Sequence, residues 1–410
     1  MKVLLLNQFF HPDLAATAQL ATDLAEDLAA AGDEVTAVAS RGTYLGGGRL
    51  PRRASHRGVE IVRVAATSLG KRSLLHRALD YGTFYASAAL ALARLPRHEA
   101  VVAMTTPPLI AAAGLLARAL KGTRLVYWVQ DLYPDVAVAF GALGARSVAT
   151  RFMEATSRAV LRRADRVVAL GEAMRARCIA AGAAPGRTVV LPNWSDPGAV
   201  RPVPHGENPL RSALAGDAAF LVMYSGNIGR GHDVETLLGA ARALRSRRDV
   251  AFAFVGDGAR RADVERAASE LPNVRLAPYQ PRERLAESLS AADVHLVSLA
   301  PELEGLVEPS KFYGVLAAGR PAVFVGPARS EVACTIAREG CGRVVSNGDV
   351  DGLVAALAGL AGDPAARDAM GIRAREALVG RYARQIATGR FRSVLAEACE
   401  APRAEQASPD

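Results

Sequence analysis

The stretch Ala219-Phe220-Leu221-Val222-Met223-Tyr224-Ser225-Gly226-Asn227-Ile228-Gly229-Arg230-Gly231-His232-Asp233 changes character halfway along. Its first six residues form a short apolar run, the mark of a buried strand. The second half carries three glycines and then Asp233, a helix-capping residue type, before a helical pattern. Glycine lets a ligand approach the backbone closely. A helix start offers unpaired N–H groups and partial positive charge, which suit phosphate. Gly226, Asn227 and Gly229 therefore mark an anion site, and Arg230 adds a guanidinium fork that can take two phosphate oxygens. The plainer alternative is a βα turn that needs glycine for its geometry alone.

The same strand–turn–helix unit recurs on both sides. Apolar runs at residues 2–6, 34–39, 59–64, 100–104, 124–129, 166–170 and 189–191 alternate with helical patterns. A second series has runs at 219–224, 250–255, 274–276, 294–298 and 321–325. Such alternation predicts parallel sheets covered by helices on both faces. Pro197, Pro202, Pro204 and Gly206 separate the two series, as a linker does. The expected organisation is α/β, with two doubly wound domains at 1–195 and 216–385 joined by a linker at 196–215. A helix at 386–400 is expected to return to the first domain, and 401–410 reads as a polar, disordered tail. The helical stretch at 367–398 is expected to break near Gly380. With 410 residues, half of them hydrophobic, the chain can fill two cores. Ligands of parallel sheets bind at the carboxyl ends of the strands, so the site is expected in a cleft between facing domains.

Charge and cysteine content narrow the function classes. The formal net charge is +9, which suits phosphorylated substrates, nucleic acid or an anionic membrane. The basic excess concentrates between Arg41 and Arg97, opposed mainly by Glu60, Asp80 and Glu99. That run reads either as a solvated surface or as a patch for lipid headgroups, aided by the amphipathic stretch 73–95. The four cysteines, Cys178, Cys334, Cys341 and Cys399, form no metal-ligand spacing and read as reduced thiols. The apolar start ends at Asn7, too short for a signal peptide. A cytoplasmic protein is expected, at most peripheral to a membrane. No GxGxxG follows residues 2–6, which argues against a dehydrogenase. A two-lobed solute-binding protein would carry a secretion signal.

A second motif supports the anion reading. In the segment 303–314, Ser310 and Lys311 stand at an expected helix start after the strand 294–298. Lys311 supplies a point charge, and Glu304 and Glu308 are placed to bond sugar or ribose hydroxyls; an exposed acidic loop with a capping serine is the alternative. On the opposite side of the cleft, His11 follows the first strand, Thr106 follows the strand at 100–104, and Gln130 and Asp131 close the strand at 124–129. These are acceptor-side candidates, with a surface histidine and a structural Asp131 cap as the alternatives.

Several motifs together resemble family 4 glycosyltransferases of the GT-B fold, in particular the fucosaminyltransferase-like group of bacterial surface-polysaccharide assembly. They are Asn7-Gln8-Phe9-Phe10-His11-Pro12, Trp128-Val129-Gln130-Asp131-Leu132-Tyr133-Pro134-Asp135, Leu191-Pro192-Asn193-Trp194, the loop at 224–233, Val255-Gly256-Asp257-Gly258 and Pro309-Ser310-Lys311-Phe312-Tyr313. The resemblance implies two facing Rossmann-like domains and a retaining transfer. A sugar, of N-acetylated amino or deoxy type, would pass from a UDP-linked donor to a lipid-linked or glycan acceptor. No metal ion, cofactor or nucleic acid is implied. Arg230 and Lys311 would hold the leaving diphosphate, which takes the acceptor proton itself; Asp131 would bind an acceptor or donor hydroxyl, and Tyr279 would lie near the base. Two departures stand out. The second Glu of the family's Glu-x7-Glu signature falls on Gly314, and the Lys expected just after the family's Arg falls among Gly231, His232 and Asp233. Glu308 is then expected at the ribose and Lys311 as the second cation. A nucleotide-sugar 2-epimerase of the same architecture is the alternative.

Overall fold

The apolar runs fold into two parallel sheets. The computed structural model describes residues 1–44, 46, 48–67 and 74–401. Lys71 and Arg72 of the basic run, and the tail beyond residue 401, lie outside the described residues. The first sheet contains β1 (Lys2–Leu6), β2 (Glu34–Ser40), β3 (Arg53–His56), β4 (Val59–Val64), β5 (Ala100–Ala103), β6 (Arg124–Trp128), β7 (Arg166–Ala169) and β8 (Thr188–Val190). Their order across the sheet is β3-β4-β2-β1-β5-β6-β7-β8. The second contains β9 (Phe220–Ser225), β10 (Val250–Val255), β11 (Val274–Ala277), β12 (Val294–Ser298), β13 (Ala322–Val325) and β14 (Gly342–Val345), in the order β11-β10-β9-β12-β13-β14. Strands with both faces covered by helices need apolar residues at successive positions. β9, β10, β12 and β13 are buried along nearly their whole length for that reason.

The strand order places the ligand crevices. It reverses direction between β1 and β5 in the first sheet, and between β9 and β12 in the second. At such a switch point the loops leaving two neighbouring strands diverge to opposite faces and open a cleft. The loops that leave β1 and β5 carry His11 and Thr106, and those that leave β9 and β12 carry Arg230 and Lys311.

Two strands differ from the sequence expectation. β3 pairs antiparallel with β4 through the two-residue turn Arg57-Gly58, where both residues have positive φ, 46° and 83°. It is a polar edge strand without an apolar run, so hydrophobic patterning misses it. β14 begins at Gly342, where a Cβ would lie 1.9 Å from the Ala322 carbonyl oxygen. Its glycine and exposed Arg343 break the apolar signal, although the close strand contact requires that glycine.

The end of the chain returns to its beginning. The helix Pro364–Ala377 passes through a wide turn at Leu378–Tyr382, around Gly380, into the helix Arg384–Glu400. This last helix packs on the helix Ala16–Ala30. Buried Arg384 reaches three carboxylates there: Asp23 at 3.0 Å, Glu26 at 2.9 Å and Asp27 at 2.6 Å. Trp194 donates to Asp23 at 3.2 Å and stacks on Trp128 at 5.3 Å, with Phe391 edge-on to Trp128. The two crossings between the halves touch each other as well, Ser195 bridging Ala383. We expect Arg384→Met to cost about 3–5 kcal/mol in denaturant unfolding, because it strands buried carboxylates. Arg392→Gln, at the half-exposed Asp33 pair, should cost clearly less; equal losses would show that Arg384 holds nothing special.

Candidate functional site

The crevice between β9 and β12 is built from backbone brought close together. Gly226 follows β9 with φ +125°, and Gly256 follows β10 with φ +142°. A Cβ on Gly256 would sit 2.1 Å from the Gly226 carbonyl oxygen, so these two loops can meet only as glycines. The loop at 226–232 then enters the helix Val234–Ala243, capped by Asp233, whose carboxylate accepts from Thr236 N at 3.0 Å. Asp233 is thus the helix cap.

Lys311 begins the helix Lys311–Ala317 and crosses to this loop. Its ammonium lies 3.7 Å from the centre of the Tyr224 ring, donates to the Tyr224 hydroxyl and reaches the Asn227 carbonyl at 3.2 Å. No carboxylate pairs with it among the described residues, and burial draws its pKa well below the usual lysine value. Arg230, on the same loop as Asn227, is exposed and forms no hydrogen bond or ion pair among the described residues. Ser310 precedes Lys311, but its side chain makes no cap bond.

Two residues here escaped sequence reasoning. Tyr224 is buried at the end of β9 and donates to Asn227 O at 2.7 Å, fixing the loop that Lys311 grips. As an aromatic within a strand it carries only a core signal. His232 lies edge-on to Tyr224, with Nδ1 2.7 Å from Ser298 O. Burial and the nearby Lys311 hold its pKa down to about 3, so the ring is neutral and adds no charge.

The acidic candidates differ in their surroundings. Glu304 pairs with Arg329 at 3.2 Å on the surface. Glu308 turns one oxygen to the Glu331 backbone N–H at 3.3 Å, at the start of the helix Glu331–Glu339, and its second oxygen is buried without a partner. Its carboxyl is thus engaged at that helix start, whereas the sequence reading put it at a ribose. Burial pushes the Glu308 pKa up to about 8. Tyr279 stands half exposed after β11, its hydroxyl 3.4 Å from Asp257 O.

On the facing side, Asp131 lies opposite Val307 in a backbone bridge between the halves, and Leu132 N donates to Leu306 O at 2.9 Å. The bridge sets Asp131 four residues from Lys311 along the partner loop. The Asp131 carboxylate accepts from Thr105 at 3.4 Å, and burial raises its pKa to about 6. Gln130, expected to meet an acceptor, instead spends both amide atoms on Asn193, at 3.0 and 3.1 Å, and so ties the loop after β6 to the loop after β8. One face of the His11 ring is taken by His56, stacked at 3.6 Å, which in turn pairs with Glu26 at 2.8 Å. Thr106 is half buried, and its carbonyl accepts from Gln8 N at 2.7 Å. Among the described residues no cluster of three or more His, Cys, Asp or Glu could hold a metal ion.

Glu308 makes stability depend on pH. Its folded pKa, about 8, lies above the ordinary 4.5, so folding takes up a proton in that interval. The contribution is full below the ordinary value and is lost as pH rises through about 8. Thermal melts of the parent should therefore fall between these pH values more steeply than those of Glu308→Gln; parallel curves would contradict the buried carboxyl.

With this geometry in hand, likeness to known proteins is informative. A glycosyl transferase 4-like domain matches residues 16–194, and a glycosyl transferases group 1 domain matches residues 219–363. WbjE of Pseudomonas aeruginosa, named as a glycosyltransferase, is 32% identical over 61% of this chain and 62% of its own length, so the match spans under two thirds of that relative. WcaI of Escherichia coli (strain K12), named for colanic acid biosynthesis and glycosyl transfer, is 28% identical over 81% of this chain and 85% of its own. Among solved structures, sucrose-phosphate synthase from Thermosynechococcus elongatus superposes with a TM-score of 0.78 at 18% identity, covering 97% of this chain and 99% of that one. Anabaena HepE in complex with UDP-glucose superposes with a TM-score of 0.70 at 15% identity, covering 97% and 100%. The chain therefore carries a glycosyl transferase 4-like domain followed by a glycosyl transferases group 1 domain, together in the GT-B fold of the glycosyltransferases.

Proposed function

We propose that the chain is a retaining glycosyltransferase that moves a sugar from a UDP-linked donor to a lipid-linked or glycan acceptor during assembly of a cell-surface polysaccharide. The observation that carries this reading is the Lys311 ammonium, drawn into the switch-point crevice with only a phenol and a carbonyl as partners. A buried cation without a counter-charge is costly, and a diphosphate supplies that charge. Unpaired Arg230 on the adjoining loop supplies a second. The UDP-glucose in HepE and the colanic acid in the name of WcaI agree with a nucleotide-sugar donor and a polysaccharide product.

In this reading the cations act on charge that develops as the sugar–phosphate bond breaks. The acceptor attacks from the face the diphosphate leaves, and the leaving phosphate takes its proton. Asp131, ionised above about pH 6, accepts a hydrogen bond from an acceptor or donor hydroxyl. No step uses a metal ion. The donor sugar is an N-acetylated amino or deoxy sugar, as in the fucosaminyltransferase-like group, and the enzyme works at the inner face of the plasma membrane. Among the described residues no helix is long and apolar enough to cross a membrane. The epimerase alternative finds no support among the compared proteins.

Lys311→Ala and Arg230→Ala should each lower turnover by about a hundredfold or more with melts near the parent's, the scale of one lost charge-stabilising donor. Parent-like rates in both would sink the diphosphate grip. Parent activity should fall as pH drops through about 6, when Asp131 takes a proton. Asp131→Asn should be slow and flat across that range; an unchanged pH profile in the variant would remove Asp131 from the reaction.

A further inference from the structure

Thirteen large hydrophobic side chains are exposed among the described residues, and six of them lie on three helices that pack side by side against one face of the first sheet. Leu79 and Leu90 belong to the helix Leu74–Arg94, Leu116 and Leu120 to Ala111–Lys121, and Val148 and Phe152 to Val148–Arg163. The last pair is the most open, Val148 at 84% and Phe152 at 70% exposure.

The stripe on Val148–Arg163 is regular. At about 100° per residue, Val148, Phe152, Ala155 and Ala159 share one face, while Thr150, Ser157, Val160 and Leu161 face the core. The helix therefore has two apolar sides, one buried in the fold and one turned to solvent. Arg151 and Arg158 border one edge of the outer stripe, and Arg146 precedes the helix. All three arginines are exposed and form no ion pair among the described residues. Within the basic run between Arg41 and Arg97, Arg53 pairs with Glu60 at 3.0 Å, Arg57 with Glu26 at 3.4 Å, and buried Arg63 bonds the Pro51 and His11 carbonyls.

We propose that this three-helix face docks on an anionic lipid bilayer, with Val148 and Phe152 entering the headgroup boundary and the unpaired arginines meeting lipid phosphates. Apolar side chains bordered by arginine on a helix lying flat are the chemistry of interfacial binding. Position supports the same occupant. A helix that follows a parallel strand starts at the strand's carboxyl end, so Val148 begins its helix at the end of the first sheet to which β6 delivers Asp131. A lipid-linked acceptor would then enter from the surface that holds the enzyme. The proposal rests on the lipid-linked acceptor reading above and locates its membrane contact.

The test is flotation of the full chain with vesicles of phosphatidylcholine alone or with about one third phosphatidylglycerol. The parent should float with the anionic vesicles only, and less so as salt rises. Val148→Ser/Phe152→Ser should weaken binding by about tenfold or more. Arg151→Gln and Arg158→Gln should each weaken it about fivefold, and Arg53→Gln/Arg57→Gln should float like the parent. Equal partition of all variants, or loss confined to the Arg53/Arg57 pair, would overturn the proposal. So would a parent that ignores vesicles but forms dimers which Val148→Ser/Phe152→Ser dissolves, since the face would then belong to a second copy. UDP should raise the melting temperature of parent and variants alike. A parent that floats but ignores UDP would support this surface and overturn the donor reading instead.

Discussion

One buried arginine governs how the molecule is assembled. Arg384 leaves water at a large desolvation cost, and Asp23, Glu26 and Asp27 offset that cost only because all three reach it at once. The contact joins the final helix to the first one, so the first layer of the fold cannot be completed until the whole chain has been made. Trp194 sits on the same carboxylate and carries the order onward, through its stack on Trp128, to the end of β6 where Asp131 stands. The position of the N-terminal side of the cleft therefore derives from an interaction at its back.

The cleft itself shows a consistent electrostatic pattern. Lys311 and Arg230 pair with no carboxylate among the described residues, and the buried titratable groups around them, Lys311 included, are pushed toward neutrality. Lys311 is drawn below its usual value, Glu308 is lifted to about 8, Asp131 to about 6, and His232 is held near 3. Burial is the leading cause in every case, with the Lys311 charge adding to it at His232. A bound anion would offset the burial that draws Lys311 toward neutrality, which favours an anion over a neutral sugar as the first group held.

Much of this was legible in the sequence, and the limits have physical reasons. Buried parallel strands are nearly continuous apolar runs, so β1, β9, β10 and β12 stood out, as did the glycine turn after β9 and the helix start at Lys311. β3 was missed because an edge strand faces water and carries no apolar run, and β14 because a required glycine interrupts it. Tyr224 and His232 were missed as site residues because an aromatic strand end and a helix-cap neighbour look the same whether or not a cation rests on them. Gln130 stood out as a strand-end amide, but a sequence does not show that Asn193 bonds both of its amide atoms. His11 shows the same limit, since its stacking on His56 depends on a hairpin whose strand β3 could not be seen.

The backbone bridge between Asp131 and Val307 has a further consequence. The loop it clasps runs on within four residues to Lys311, while the residue on its other side is Asp131 with its buried carboxylate. Any motion that widens the cleft must break the bridge and release both groups together. A ligand on one side that favours the closed bridge would be matched by an equal factor at the other side. The bridge makes the two loops one hydrogen-bonded clasp and not two separate walls that happen to face each other.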